Sequence, residues 1–232
     1  EPIQSFPSLV LGTVEMSPFE VNQMYLTLAS EGLYQPLTTL RTVLTSDDKV
    51  LYQKDLKAER RVDARDAYLT LYIMTRVASQ GTAASLASRF PKMVLAGKTG
   101  TTDNLRDSWF SGMDNDELVT SWIGRDDNQP AGLTGANGAL TVFSDYMTRR
   151  GVNSPQLPVP KGIVWSNFSR GGQAVDAGCP GSLNLPARLD LLGPKVACSQ
   201  GAPGGGQAKP DNPVDWFKQL FSLQAQPAWP HS

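Results

Sequence analysis

The sequence predicts an α+β fold in which an antiparallel sheet is packed with helices. Three observations carry that expectation. Apolar residues recur at helical spacing in three separated stretches, short strand-like runs bounded by turn residues lie between them, and the runs after residue 93 follow one another directly, as in a meander. With 232 residues, 40% of them hydrophobic, the chain is long enough to bury a sizeable core, and one domain plus a tail is the natural expectation.

In chain order, Ser17, Pro18 and Glu20 form a capping box with Pro at the first helical position, ahead of apolar Val21, Met24, Tyr25 and Leu28. That helix is expected to run to about Ser30 and to end at Gly32 in a left-handed conformation. Residues 39–44 and 49–53 then read as a hairpin around Ser46, Asp47 and Asp48. Asp63 caps a second helix, with Ala67, Leu71, Met74 and Ala78 on one face and a stop at Gly81. Residues 93–96 read as a buried strand running into small polar residues at 97–102, a strand surfacing in a cleft. Residues 107–112 and 117–124 flank the turn 113–116 and complete the meander, while 138–149 carries Ala139, Val142, Phe143, Tyr146 and Met147 at helical spacing, with Arg149 and Arg150 where the helix dipole favours positive charge. Met24 and Met74 are expected in the helix core, and Trp109, Phe110, Trp122 and Ile123 in the core of the paired strands.

The expected boundaries place the main domain at 1–165, a cysteine-containing, Gly/Pro-rich loop and linker at 166–212, and a short amphipathic tail helix at 213–232. Cys179 and Cys198 close a loop of about twenty residues. A disulfide there would contribute about 3 kcal/mol in the chain-entropy account and favour an oxidising compartment, two free thiols being the alternative.

Composition excludes several classes of function. Lys and Arg number 21 against 22 Asp and Glu, so no overall field draws the chain to nucleic acid. Two cysteines cannot build a four-cysteine zinc site, and neither a metal nor another cofactor is expected. The single histidine, His231, lies at a Pro-flanked terminus, a poor place to hold an imidazole for a Ser-His-Asp triad. No apolar run approaches the roughly 20 residues of a membrane span, so any anchor is expected outside this chain.

One segment carries chemistry. Residues 95–102 place Lys98 and hydroxyls in alternation on a strand, followed by glycine, pointing Lys98 and Gly100 to one face and Thr99 and Thr101 to the other. A solvated lysine on an edge strand would account for the triplet KTG by itself. The ending Gly97-Lys98-Thr99 also fits a phosphate-binding loop, but Lys92 stands where that motif needs its first glycine, and strands rather than a helix follow.

The wider pattern decides between these readings. GKTGTT is followed by Asp107-Ser108-Trp109-Phe110-Ser111-Gly112 and by Trp122-Ile123-Gly124-Arg125-Asp126-Asp127-Asn128-Gln129-Pro130. With 17–20, 81–83 and 135–139 in the same order, the first 150 or so residues closely resemble the class A penicillin-binding proteins, of the bifunctional 1B type. The resemblance implies a partial domain of the penicillin-binding transpeptidase and serine β-lactamase fold, whose site unites SxxK, SxN and KTG motifs. It implies that Lys98 supplies positive charge beside the SxN serine, that Thr99 and Thr101 with Gly100 and Thr102 form the substrate-binding strand, and that the Thr101 N–H is half of an oxyanion hole. Substrates would be D-Ala-D-Ala stem peptides and β-lactams, and the serine nucleophile would lie in an upstream part of the same enzyme, so this chain alone is expected to be inactive. The implied setting is the periplasmic face of the bacterial inner membrane, among other cell-wall synthesis proteins. Two letter matches are rejected: Ser46-Asp47-Asp48-Lys49 sits in a polar turn, and Ser182-Leu183-Asn184 follows KTG in loop sequence. A non-catalytic interaction module on the same scaffold is the alternative, and a serine β-lactamase the nearest other enzyme.

Overall fold

The computed structural model describes residue 12 and residues 14–198, and the chain divides after Pro158 into two compact units. The expected tail helix, the linker at 201–210 and His231 lie outside the described residues.

The first unit opens on helix α1, Pro18–Ala29. Its start is the full capping box: the Ser17 hydroxyl accepts from Glu20 N, and Ser17 N donates to Glu20 Oε2 at 2.8 Å, so two helix-end donors are satisfied reciprocally. Beyond its end Gly32 lies at φ +82, where a Cβ would fall 2.1 Å from the Val62 carbonyl oxygen. Only glycine fits there, and the close approach lets the Gly32 carbonyl accept from Arg61 N and Val62 N. That contact brings together two short strands absent from the sequence reading, β1 (Leu33–Tyr34) and β4 (Glu59–Arg60), on either side of the hairpin β2 (Thr42–Leu44) and β3 (Val50–Gln53).

Helix α2, Ala64–Gln80, starts where Asp63 accepts from Arg65 N at 2.8 Å and ends at Gly81. It buries Ala67, Tyr68, Leu71, Met74 and Ala78. A short helix α3, Ser85–Arg89, follows and buries Leu86.

The central sheet is β5 (Ala96–Thr101), β6 (Ser108–Met113) and β7 (Leu118–Ile123), antiparallel and in that order, so β5 is an edge strand. Its register pairs Ala96 with Met113, Lys98 with Ser111 and Thr101 with Ser108. One face packs Phe110 into a cluster with Ala83, Leu86, Leu140, Phe143 and Met147, contributed by the α2–α3 turn, α3 and helix α4 (Ala139–Arg150); the Phe110 and Phe143 rings lie 4.8 Å apart. The other face packs Ala96 and Met113 against Leu71 and Met74 of α2. Two expectations are corrected here. Met93 and Val94 are exposed, because Lys92 takes a left-handed turn (φ 69) and pairing begins only at Ala96. Met24 is also exposed, while Met74 is buried.

Beyond β6, Asp114 is a staple. Its side chain is fully buried; Oδ1 accepts from Asp116 N and Glu117 N at 3.0 Å each, and Oδ2 from Asn153 N at 2.9 Å and Arg150 Nη2 at 2.5 Å. One carboxylate thus ties the β6–β7 turn to the end of α4 and to the chain leaving it.

In the second unit, β8 (Ile163–Phe168), β9 (Ala174–Val175) and β10 (Leu183–Arg188) form an antiparallel sheet in the order β10-β8-β9. The segment expected as loop from 166 onward therefore contains the end of β8 and the whole of β9 and β10, and the boundary expected at 165 falls inside β8. Leu183 and Asn184 open β10 rather than lying in a loop. Cys179 and Cys198 are joined by a disulfide, with Cα atoms 5.3 Å apart.

Candidate active site

Alternation along β5 turns Lys98 and Gly100 to the face that carries Ala96, and Thr99 and Thr101 to the opposite face. Lys98 Nζ donates to the Thr99 carbonyl at 2.7 Å and has no carboxylate partner among the described residues. The residue reaches solvent, yet crowding by the surrounding protein withdraws the ammonium from water and lowers its pKa from the ordinary lysine value.

Each hydroxyl that follows is held from a different element. Thr99 Oγ1 shares a 2.7 Å hydrogen bond with Thr82 Oγ1, from the turn between α2 and α3. Thr101 Oγ1 accepts from Gly135 N at 3.0 Å. Gly135 lies so close to the sheet that a Cβ on it would sit 2.6 Å from the carbonyl oxygens of Gly100 and Trp109. With its acceptor side occupied by an N–H, the Thr101 hydroxyl keeps its proton free to donate outward, the polarity a carboxylate ligand requires. Thr102 differs. Its hydroxyl donates to Asp107 Oδ2 and accepts from Asp107 N, both at 2.9 Å, and its own N–H donates to the Asp107 carbonyl.

The segment carrying Gly135 is fixed by Ser108, which is completely buried. Its Oγ donates to the Thr134 carbonyl and accepts from Ala139 N, each at 2.8 Å. Gly138 offers no side-chain cap for α4, so the sheet caps the helix instead.

Lys98, Thr99, Gly100, Thr101 and Thr102 thus form one continuous edge. Thr82, Gly135 and Asp107, which contact it, were not singled out as site residues from the sequence. All three lie in segments that carried the family resemblance, 81–83, 107–112 and 135–139. Of the aromatic residues expected in the core, Phe110 is fully buried, whereas Trp122 is 43% exposed and lies with its ring 6.0 Å from that of Trp109. Ser46 lies exposed in the β2–β3 turn, where Lys49 pairs with Asp47 at 2.8 Å. Among the described residues no His, Cys, Asp and Glu side chains gather into a metal-binding group, and no helix is long and apolar enough to cross a membrane.

Comparison with known proteins gives consistent matches. The family profile described as Penicillin binding protein transpeptidase domain matches residues 4–134. Penicillin-binding protein 1B of Vibrio cholerae is 40% identical over 222 residues, covering 94% of this chain and 27% of the relative. Penicillin-binding protein 1B of Escherichia coli is 40% identical over 179 residues, covering 77% and 21%. The chain therefore spans about a quarter of the length of these relatives. Among solved structures, Penicillin-Binding Protein 1A from Haemophilus influenzae superposes with a TM-score of 0.72 at 19% identity, covering 82% of this chain and 34% of that one, a likeness of fold.

Proposed function

The chain belongs to the penicillin-binding protein transpeptidase family, and we propose that it forms the C-terminal part of a D,D-transpeptidase that cross-links peptidoglycan by serine acyl transfer. The observation that carries the reading is the edge strand β5, which presents Lys98 on one face and Thr99 and Thr101 on the other, the two hydroxyls already held by Thr82 and Gly135.

The SxxK and SxN motifs belong to an upstream part of the same enzyme. Its serine Oγ attacks the penultimate D-Ala carbonyl, and the oxyanion that forms is met by the Thr101 N–H and by the N–H of the nucleophile. The peptide C–N bond then breaks, terminal D-Ala leaves with the proton taken from the serine, and the acyl group passes to an amine of a neighbouring stem peptide. Lys98, partly desolvated, supplies positive charge beside the SxN serine. Thr99 and Thr101 donate to the terminal carboxylate of the peptide, or to that of a β-lactam, which acylates the same serine and stays. The setting is the periplasmic face of the inner membrane, with the anchor and the glycosyltransferase in upstream sequence.

Intact mass after incubation with benzylpenicillin tests this. An adduct should form when the chain is joined to its encoded upstream region and not on the chain alone. Lys98→Ala should slow acylation of the joined protein by at least about a hundredfold, the usual scale for removing such a stabilising group. An adduct on this chain by itself would mean that a serine here is the nucleophile. No adduct in either sample would favour a non-catalytic interaction module on the same scaffold.

A further inference from the structure

The connection that follows β5 is built against backbone preference. Asn104 (φ 58) and Leu105 (φ 57) are both left-handed, and leucine has no side-chain route to make that conformation comfortable. Leucine in that conformation is strained and persists only where its surroundings over-determine it. Two sets of bonds do so here. The Leu105 carbonyl accepts from Ala131 N and Gly132 N. Thr102 and Asp107, the residues on either side of the connection, are joined by three hydrogen bonds: hydroxyl to Oδ2, Asp107 N to hydroxyl, and Thr102 N to the Asp107 carbonyl.

Asp107 does more than close the turn. Its second oxygen, Oδ1, accepts from Trp122 Nε1 at 3.0 Å, so the carboxylate links the end of β5 to the end of β7 across the intervening strand. Gly124 leaves room for this arrangement, since a Cβ there would strike the Trp122 ring at 2.3 Å and Asp107 Oδ1 at 2.8 Å.

We infer that Asp107 is a positioning residue for acyl transfer: with Thr102 and Trp122 it latches the strained end of β5 and so fixes the Thr101 N–H, the residue before the latch, in its aim at the developing oxyanion. Thr102 then works through Asp107 rather than by touching substrate, since its hydroxyl is engaged on both its donor and acceptor sides. The inference rests on the transpeptidase reading above.

The experiment uses the chain joined to its encoded upstream region. Acylation by a chromogenic cephalosporin is resolved into the noncovalent dissociation constant Ks and the acylation rate constant k2, for wild type, Asp107→Ala, Thr102→Val, Thr102→Ser and the double variant Asp107→Ala/Thr102→Val. Because the latch acts on an N–H used in the transition state, Asp107→Ala and Thr102→Val should each lower k2 by about 10- to 100-fold, the scale for displacing a catalytic group by a fraction of an ångström to an ångström, with Ks within about threefold. Thr102→Ser, which keeps the hydroxyl, should restore k2. The double variant should be no slower than either single one, because both break the same device. Thermal melting reports whether each variant folds, and Asp107→Asn, which keeps one acceptor oxygen, replaces Asp107→Ala should that one not fold.

Wild-type k2 in Asp107→Ala, a change confined to Ks, or multiplying losses in the double variant would each overturn the positioning role. An unlabelled wild type would overturn the transpeptidase reading and this role with it, whereas a labelled wild type with unaffected variants would overturn this role alone.

Discussion

Replacing Asp114 with alanine should unlock the corner where the β6–β7 turn meets the end of α4. The carboxylate is fully buried and accepts four hydrogen bonds, three from backbone N–H groups and one from Arg150. Each bond to a charged acceptor is worth about 1.5–3 kcal/mol net, but water entering the corner recovers part of that. Removing one member of a buried ion pair costs about 3–5 kcal/mol, and Arg150 would retain Glu117, 3.2 Å from its Nε, as an ion-pair partner. A loss of about 3–4 kcal/mol follows from combining these ranges. With an m-value of about 2 kcal/mol/M, the urea midpoint should fall by about 1.5–2 M. The slope should not change, because the surface exposed on unfolding is the same. A shift below about 0.3 M would refute the staple, since four satisfied bonds to a buried charge cannot be worth so little. The same carboxylate predicts a pH dependence. Burial pushes its pKa up, but the N–H groups of Asn153, Asp116 and Glu117 together with Arg150 outweigh burial and hold it below the usual carboxylate value. Its stabilisation is therefore fully present above the unfolded-state pKa of about 3.9 and is lost as pH falls through the lower folded-state value. The difference in midpoint between wild type and Asp114→Ala should accordingly shrink as pH falls below about 4, and a difference that stays constant as pH falls would count against it.

Gly135→Ala should push the 134–138 segment off the sheet, because the new methyl falls 2.6 Å from two carbonyl oxygens. Expected are a loss of about 1–3 kcal/mol in urea titration and at least about tenfold slower acylation of the joined protein; a well-folded variant with wild-type acylation would show that the Gly135 N–H does not orient Thr101. Opening the Cys179–Cys198 disulfide by Cys→Ser replacement at both positions removes a link between residues 19 apart. It should destabilise the second unit by about 3 kcal/mol, seen as faster proteolysis within 159–198 and unchanged benzylpenicillin labelling of the joined protein; equal protease resistance would show that the link adds no stability.

Elements whose ends are written in local chemistry could be read from the sequence. Ser17 to Glu20, Asp63 and Gly81 each mark a helix end through bonds made within a few residues: α1 begins after Ser17, and α2 runs from Asp63 to Gly81. The β5–β7 meander was legible for a similar reason, as short turns leave few alternatives to antiparallel pairing. What escaped depends on distant partners. Strands β1 and β4 are two residues each and pair only because Gly32 lets Val62 approach. Strand β10 contains Pro186 among Gly and Pro neighbours, a combination that argues against a strand unless it lies at a sheet edge, where it does lie. The site shows the same division. Residues 98–102 announce themselves by type and order, whereas Thr82 and Gly135 join them only through contacts between elements, and Asp107, placed by sequence at the cleft rim, reads there as an ordinary solvated charge until its bonds to Thr102 and Trp122 are seen.

Helix α4 owes its beginning to a residue that precedes it by thirty-one positions. Gly138 has nothing with which to hold the first N–H groups, and the hydroxyl that does so, Ser108, sits on the first residue of β6. An isolated helix of 12 residues is marginal in water even when well capped. The segment therefore gains its helical start only once the strand is in place, while the strand buries Phe110 only once Phe143 and Met147 are delivered by the helix. Neither can accumulate far ahead of the other. This half of the unit should accordingly form and melt as one cooperative block, so that thermal fluctuations rarely fray the helix without also opening the strand that flanks the Lys98–Thr101 edge.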